Sequence, residues 1–222
     1  MWKRLETFIK TRILKRWGTP STKKRIWDAE FGEGKWKYLE KTDEDPIYLY
    51  LEKYARGGSI LDLGCGSGNT GCELDFSKYT FYTGTDVSEV AIQQARERST
   101  ASQRDSRNEY VCADIESFVP AMKYDLILFR ESIFYIATHR IKKVLDHYSE
   151  FLKDEGVIVV RMHDRKKYGK IVELIVSHFH VMEQYSVPAS TGIILVFSTK
   201  LGNEGSQKAK WWAGGLKRGV VG

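Results

Sequence analysis

The segment Ser59-Ile-Leu-Asp-Leu63 runs directly into Gly64-Cys-Gly-Ser-Gly68 and then into a stretch with helical character. A buried strand, a glycine loop and a helix in that order let a ligand lie against backbone N–H groups, because glycine has no Cβ to hold it off. The spacing also limits the ligand. A dinucleotide fingerprint would require glycine at position 69, where Asn69 stands, and the Gly-Lys-Ser/Thr ending of a phosphate-binding loop is absent. The loop therefore favours a ligand without a pyrophosphate.

From Ser59 onward, short apolar runs alternate with amphipathic stretches, the pattern of a mostly parallel sheet with helices on both faces. Strands are expected at 59–63, 80–85, 109–112, 124–129, 156–161, 179–186 and 192–198, and helices at 69–76, 88–99, 138–152 and 166–178. The last two strands are separated only by Pro188 to Gly192, too short for a crossover helix, so that pair must be antiparallel. The fold class is α/β, a Rossmann-like sheet with its last strand antiparallel, preceded by an N-terminal helical cap.

Three segments follow from this pattern: a basic helix and lid or cap over 1–58, the ligand-binding domain over 59–199, and a Gly-rich basic tail over 200–222. Trp2, Leu5, Phe8, Ile9, Ile13 and Trp17 recur at helical spacing among Lys and Arg, so 1–17 reads as a basic amphipathic helix ended by Gly18-Thr19-Pro20. Three readings of that helix stay open: a cap whose apolar stripe packs on the domain, a peripheral membrane contact on anionic lipid, or contact with nucleic acid. Residues 21–41 read as a Trp- and Tyr-rich lid-like prelude. Asp43 to Ala55 read as a helix offering Ile47, Leu49, Leu51 and Tyr54 for burial.

Charge separates the ends from the middle. The net charge of +6 divides into +8 over residues 1–26, −6 over 27–199 and +4 over 200–222. An acidic centre argues against nucleic acid as a partner. No apolar run reaches the roughly 18 residues that cross a bilayer, and 1–16 lacks the apolar centre of a secretory signal. A cytoplasmic location is expected, peripheral at the inner face of the membrane if 1–17 lies on lipid. Cys65, Cys72 and Cys112 show no metal or disulfide spacing, and no metal site is expected.

Asp86 follows the second strand, where an acidic side chain can accept hydrogen bonds from ribose hydroxyls; Val87 is suited to lie on an adenine face, and Asp114 after the third strand could accept from an exocyclic amine. Leu61-Asp-Leu-Gly-Cys-Gly-Ser-Gly68, Thr85-Asp-Val-Ser88 and Ala113-Asp114 together resemble the first three motifs of class I S-adenosylmethionine-dependent methyltransferases over residues 27–199. The resemblance implies a seven-stranded sheet with an antiparallel final strand and S-adenosylmethionine as cofactor. It implies that Asp62 and the backbone of Gly64, Cys65, Gly66 and Gly68 surround the methionine part, Asp86 the ribose, and Asp114 and Ile115 the adenine. Arg130 is placed with the cofactor-binding residues.

Reacting atoms in such sheets lie beyond the carboxyl ends of the strands, which singles out Arg130, Glu131, Ser132 and Tyr135 after the fourth strand and His163 and Asp164 after the fifth. Methyl transfer from a sulfonium needs alignment above all, and a hydroxyl or protonated amine acceptor gains from a base. Glu131 and His163 are the catalytic candidates, although Glu131 could instead pair with Arg130 or bind the cofactor amine. Phe129-Arg-Glu-Ser132 replaces the Asn/Asp-Pro-Pro-Tyr motif of base or glutamine methylation. The Trp- and Tyr-rich prelude with Glu131-Ser-Ile-Phe-Tyr135 is loosely similar to small-molecule methyltransferases acting on sugars or sugar-derived amines, including nodulation-type N-methyltransferases. The expected function is methylation of O or N on a small-molecule or glycan-type acceptor. The alternatives are an RNA methyltransferase and a non-catalytic binding subunit on the same fold.

Overall fold

A computed structural model describes residues 11, 13–37, 42, 44–188 and 190–199. The expected tail over 200–222, and most of the expected N-terminal helix, lie outside the described residues. Those of its residues that are described, 11 and 13–17, are helical, and the helix stops at Gly18.

Thr19 then caps a new helix, α1 (Pro20–Gly32), its hydroxyl accepting from the Thr22 amide at 3.3 Å with proline at the first helical position. The same Gly-Thr-Pro signal thus ends one helix and starts the next, inside what the sequence presents only as a prelude. Helix α2 (Ile47–Ala55) begins directly after Pro46 and so is shorter than the expected 43–55. It buries Ile47, Leu51 and Tyr54, but Leu49 is 70% exposed because it falls on the opposite face.

The domain follows as β1 (Ser59–Leu63), α3 (Asn69–Glu73), β2 (Phe81–Asp86), α4 (Glu89–Ala101), β3 (Asn108–Cys112), β4 (Tyr124–Arg130), α5 (Thr138–Ser149), β5 (Leu152–Met162), α6 (Gly169–His178), β6 (His180–Ser186) and β7 (Ile193–Ser198). Several boundaries differ from the sequence expectation: α5 ends at Ser149 rather than 152, α6 begins at Gly169 rather than 166, and α3 and β5 also change length. Asp75 accepts from the Ser77 amide at 2.9 Å and starts a separate 3-10 turn, which cuts α3 short. Strand β5 reaches back to Leu152 across an irregularity opposite Tyr124 and Leu126, through exposed Lys153, Asp154 and Glu155 that disguise it.

The seven strands form one sheet in the order β3-β2-β1-β4-β5-β7-β6. All neighbours from β3 to β5 are parallel; β7 inserts antiparallel between β5 and β6. Strand side chains divide between two cores with period two. Leu61, Leu63, Ile127, Phe129, Ile158 and Val160 pack with α5 and α6. Ile60, Leu126, Leu128, Val157 and Val159 pack with α2 and α4. Burial on both faces explains why β1 reads as an unbroken buried run, Asp62 included. The chain leaves β1 toward β2 and β3, then returns to β4 on the other side of β1. This reversal opens a crevice at the carboxyl ends of β1 and β4. No helix of the described residues is long and apolar enough to cross a membrane.

Candidate active site

A cavity of about 570 Å³ occupies that crevice. Its floor is the glycine loop after β1. The Gly64 and Cys65 amides both donate to the Thr85 carbonyl, at 2.8 and 2.9 Å, which folds the loop over the end of β2. Gly64 has φ 85°, and a Cβ there would lie 2.5 Å from Ser132 Cβ. Gly66 donates its amide to Asp86 Oδ2 at 3.0 Å.

Asp62, Gly64, Cys65, Gly66, Asp86, Val87, Asp114, Ile115, Arg130, Glu131 and His163 all line this one cavity. Gly68 does not: a Cβ on it would meet Ala95 Cβ at 2.8 Å, so its missing side chain serves the packing of the loop against α4. The Cys65 thiol is buried, and burial pushes its pKa well above the ordinary value.

The two strand-end carboxylates are tuned by burial. Asp86 is pushed up to about 6, because loss of solvent outweighs the amide donors of Ser88 and Gly66. Asp62 is also pushed up to about 6 by burial, against the opposing pull of the Tyr82 hydroxyl and of Arg130. Tyr82 donates to Asp62 Oδ2 at 2.5 Å. Asp62 Oδ1 is buried with no hydrogen-bond partner among the described residues, an arrangement that costs free energy unless a donor enters the cavity.

Asp114 receives the Glu116 amide on Oδ1 at 2.9 Å, and its Oδ2 lies 3.5 Å from Lys23 Nζ. Lys23 belongs to α1 and also reaches Glu116 at 2.6 Å. Helix α1 is held at its other end by Asp28, which accepts from the Ser88 hydroxyl at 2.8 Å and the Val90 amide at 3.3 Å. It thus lies across the mouth of the cavity.

On the opposite wall, Arg130 donates to the Tyr48 hydroxyl at 2.9 Å, Thr70 at 3.2 Å and Asp45 at 3.2 Å. Asp45 Oδ2 also meets Arg161 at 3.0 Å. The alternative Arg130–Glu131 pair does not form: Arg130 is turned toward α2, and Glu131 pairs with Arg161 and with Nδ1 of His163. Glu131 adopts φ 56°, a left-handed conformation that non-glycine residues seldom take, and its amide donates to the Arg161 carbonyl at 3.0 Å. The His163 ring stands edge-on to Phe134 and Tyr168, each at 5.4 Å.

Lys15, Lys23, Asp45, Thr70 and Arg161 also line the cavity, and sequence reasoning did not find them. Arg161 alone carried a signal, since parallel strands ending at the same level place Arg130 and Arg161 in register. The others come from segments whose docking no local pattern encodes.

Comparison with known proteins bears on the same region. Residues 60–156 match the family model described as a methyltransferase domain. The chain is 33% identical over 106 residues to trans-aconitate 2-methyltransferase of Enterobacter sp., covering 47% of this chain and 39% of that protein. It is 25% identical over 141 residues to malonyl-[acyl-carrier protein] O-methyltransferase 2 of Ilyobacter polytropus, covering 63% and 52%. The chain therefore spans about half the length, or less, of these curated relatives. Its fold is similar to that of the N-methyltransferase NodS from Bradyrhizobium japonicum in complex with S-adenosyl-L-homocysteine, with a TM-score of 0.58 and 18% identity over 73% of this chain and 90% of that one.

Proposed function

We infer that this chain, whose residues 60–156 match the methyltransferase-domain model and whose sheet has the class I S-adenosylmethionine-dependent methyltransferase fold, methylates O or N of a small-molecule or glycan-type acceptor. The observation that carries the reading is the convergence of Asp62, the Gly64–Gly66 backbone, Asp86 and Asp114 on one cavity, with Glu131 and His163 on its far wall.

The residues fit S-adenosylmethionine on chemical grounds. The buried, unpartnered Oδ1 of Asp62 offers an acceptor to an ammonium group. Asp86, held by two backbone amides, offers its remaining acceptor capacity to ribose hydroxyls. Asp114 and Ile115 border the place for the base, and Gly64 permits close approach where a Cβ would collide. When bound, the cofactor supplies a methyl group on a sulfonium together with a neutral leaving group.

The chain's own work is alignment and proton removal. Glu131 orients His163 through Nδ1, which leaves Nε2 as the atom to take a proton from the acceptor. Helix α1 and the aromatic rings of Trp27 and Phe31 screen the cavity from water. The cavity acids support the enzyme over a non-catalytic subunit, and the net charge of −6 over residues 27–199 opposes an RNA phosphate backbone. Ile13 and Trp17, 53% and 58% exposed, are the described part of the amphipathic stripe and support peripheral contact with an anionic membrane.

Calorimetric titration of S-adenosylhomocysteine into the wild type and Asp86→Ala tests the reading. Wild-type binding weakened about tenfold or more in the variant is expected for loss of a charged hydrogen-bond partner. A wild type that binds neither S-adenosylhomocysteine nor S-adenosylmethionine overturns it.

A further inference from the structure

One wall of the cavity is built for more than excluding water. Trp27 of α1, Trp36 from the turn after α1 and Tyr135 from the 3-10 turn after β4 gather around a single point. The Trp27 and Trp36 ring centroids are 5.5 Å apart, and Tyr135 stands edge-on to Trp27 at 4.9 Å. At that point sits the ammonium of Lys15, 3.8 Å from the Trp27 centroid, 5.2 Å from Trp36 and 5.9 Å from Tyr135. Glu30 Oε2 lies 2.5 Å from the same Nζ and accepts from Trp36 Nε1 at 3.1 Å, which fixes the carboxylate against the ring. Aromatic faces with a carboxylate around one ammonium form the arrangement that recognises alkylated amines, by the attraction of a cation to ring quadrupoles.

Lys15 and Glu30 side chains are only 8% and 12% exposed. Withdrawing an ammonium from water is costly, and a lid that had only to close would be held as well by an apolar side chain of similar volume. A charged plug in an aromatic cage is explained if the cage is shaped for a cation. The plug and the cage also belong to different elements. Lys15 lies in the helical residues before Gly18, whereas Trp27 and Glu30 lie on α1 after it. Gly18 packs so tightly that a Cβ would meet the Leu14 carbonyl oxygen at 2.4 Å. The occupant and the walls thus sit on separate helical segments, and the walls have anchors of their own in Asp28 and Lys23.

We propose that Trp27, Trp36, Tyr135 and Glu30 form an ammonium subsite of the acceptor pocket, that Lys15 fills it in the acceptor-free chain, and that the acceptor is a cationic amine that displaces Lys15. The subsite stands on its own geometry; the word acceptor rests on the methyltransferase reading.

The test follows tryptophan fluorescence while choline, or its uncharged carbon isostere dimethylbutanol, is titrated into the full chain. Lys15→Met empties the cage of charge while keeping bulk, and Lys15→Gln serves as a second variant should Met disturb folding. Either should bind choline about tenfold or more tighter than wild type and prefer it over dimethylbutanol by a similar factor, the order expected of a desolvated cation–π site. Adding Glu30→Gln should remove most of the gain. Variants that bind choline no better than wild type, or take dimethylbutanol equally well, overturn the subsite. Calorimetry with S-adenosylhomocysteine on the same samples separates the two readings. Retained cofactor-analogue binding without choline discrimination defeats the subsite alone, whereas choline discrimination without analogue binding in any sample leaves the subsite standing and defeats the methyltransferase reading.

Discussion

Glu131 and His163 meet across the ends of two parallel strands, Oε2 against Nδ1, although 32 residues separate them in the chain. Strands β4 and β5 run in register up to Arg130 and Arg161, so the residues just beyond each strand arrive side by side. Arg161 holds the other carboxylate oxygen, and the left-handed backbone at Glu131 turns the side chain into the cavity. Strain of this kind persists where surrounding contacts over-determine it.

If His163 takes the acceptor's proton, His163→Ala should lower kcat about a hundredfold or more while S-adenosylhomocysteine affinity stays within about twofold of wild type. Glu131→Gln should lower kcat less, because the imidazole keeps a hydrogen-bonding neighbour but loses its charge. Steady-state kinetics beside calorimetry checks both, and a His163→Ala enzyme with wild-type kcat would rule out the base.

Cofactor binding should depend on pH through Asp86 and Asp62, both pushed up to about 6 by burial. Each must be ionised to act as a full acceptor, so S-adenosylhomocysteine affinity should be flat above about pH 7 and fall as the pH drops through 6. Asp86→Asn should bind weakly at every pH and show a shallower fall, with Asp62 supplying the remainder. A wild-type affinity unchanged between pH 5 and pH 8 would contradict the assignment of both carboxylates.

The parts legible in the sequence are those written locally. Strand β1 with its glycine loop, the acid closing β2 and Asp114 after β3 stand beside strands whose burial on two faces leaves an unmistakable apolar run, and the short link Pro188–Gly192 required antiparallel pairing. Helix α1 was not legible, because its cap is shared with the preceding helix and its buried residues include Lys23. The partners of Arg130 were hidden for a related reason. Asp45 and Tyr48 sit more than 80 residues upstream, and only the docking of α2 on the sheet brings them there. Gly68 shows a further demand the motif does not spell out: a Cβ there would collide with Ala95, so packing also requires glycine at that position.

Asp62 should cost stability in the absence of ligand. Its folded-state value of about 6 lies above the ordinary 3.8, so the native chain holds the proton more tightly than the unfolded chain. The stabilisation this gives is complete below about pH 4 and is lost as the pH rises through 6, after which the carboxylate is buried ionised at a cost of order 3 kcal/mol. Asp62→Asn cannot ionise and keeps an acceptor for Tyr82. Relative to wild type it should gain about 1 kcal/mol or more between pH 5 and pH 8 in urea unfolding, while losing cofactor affinity. An equal effect at both pH values would show that Asp62 is not buried as described.

Two glycines with similar backbones separate conformational strain from steric collision. Gly57 and Gly64 have φ of 77° and 85°, so alanine at either is strained by about 1–2 kcal/mol. A Cβ on Gly57 meets nothing within 4 Å, whereas one on Gly64 would lie 2.5 Å from Ser132 Cβ. Gly57→Ala should therefore lose only the strain and bind S-adenosylhomocysteine as wild type does. Gly64→Ala must also push the loop away from Ser132, against the two amides it shares with Cys65 on the Thr85 carbonyl. Its total loss should reach about 3 kcal/mol or more, with analogue affinity reduced about tenfold or more, because the same loop carries the Gly66 amide that holds Asp86. Urea unfolding and calorimetry on the two variants decide the matter. Equal destabilisation and equal affinity would mean that the Gly64–Ser132 contact does not set the geometry of the site.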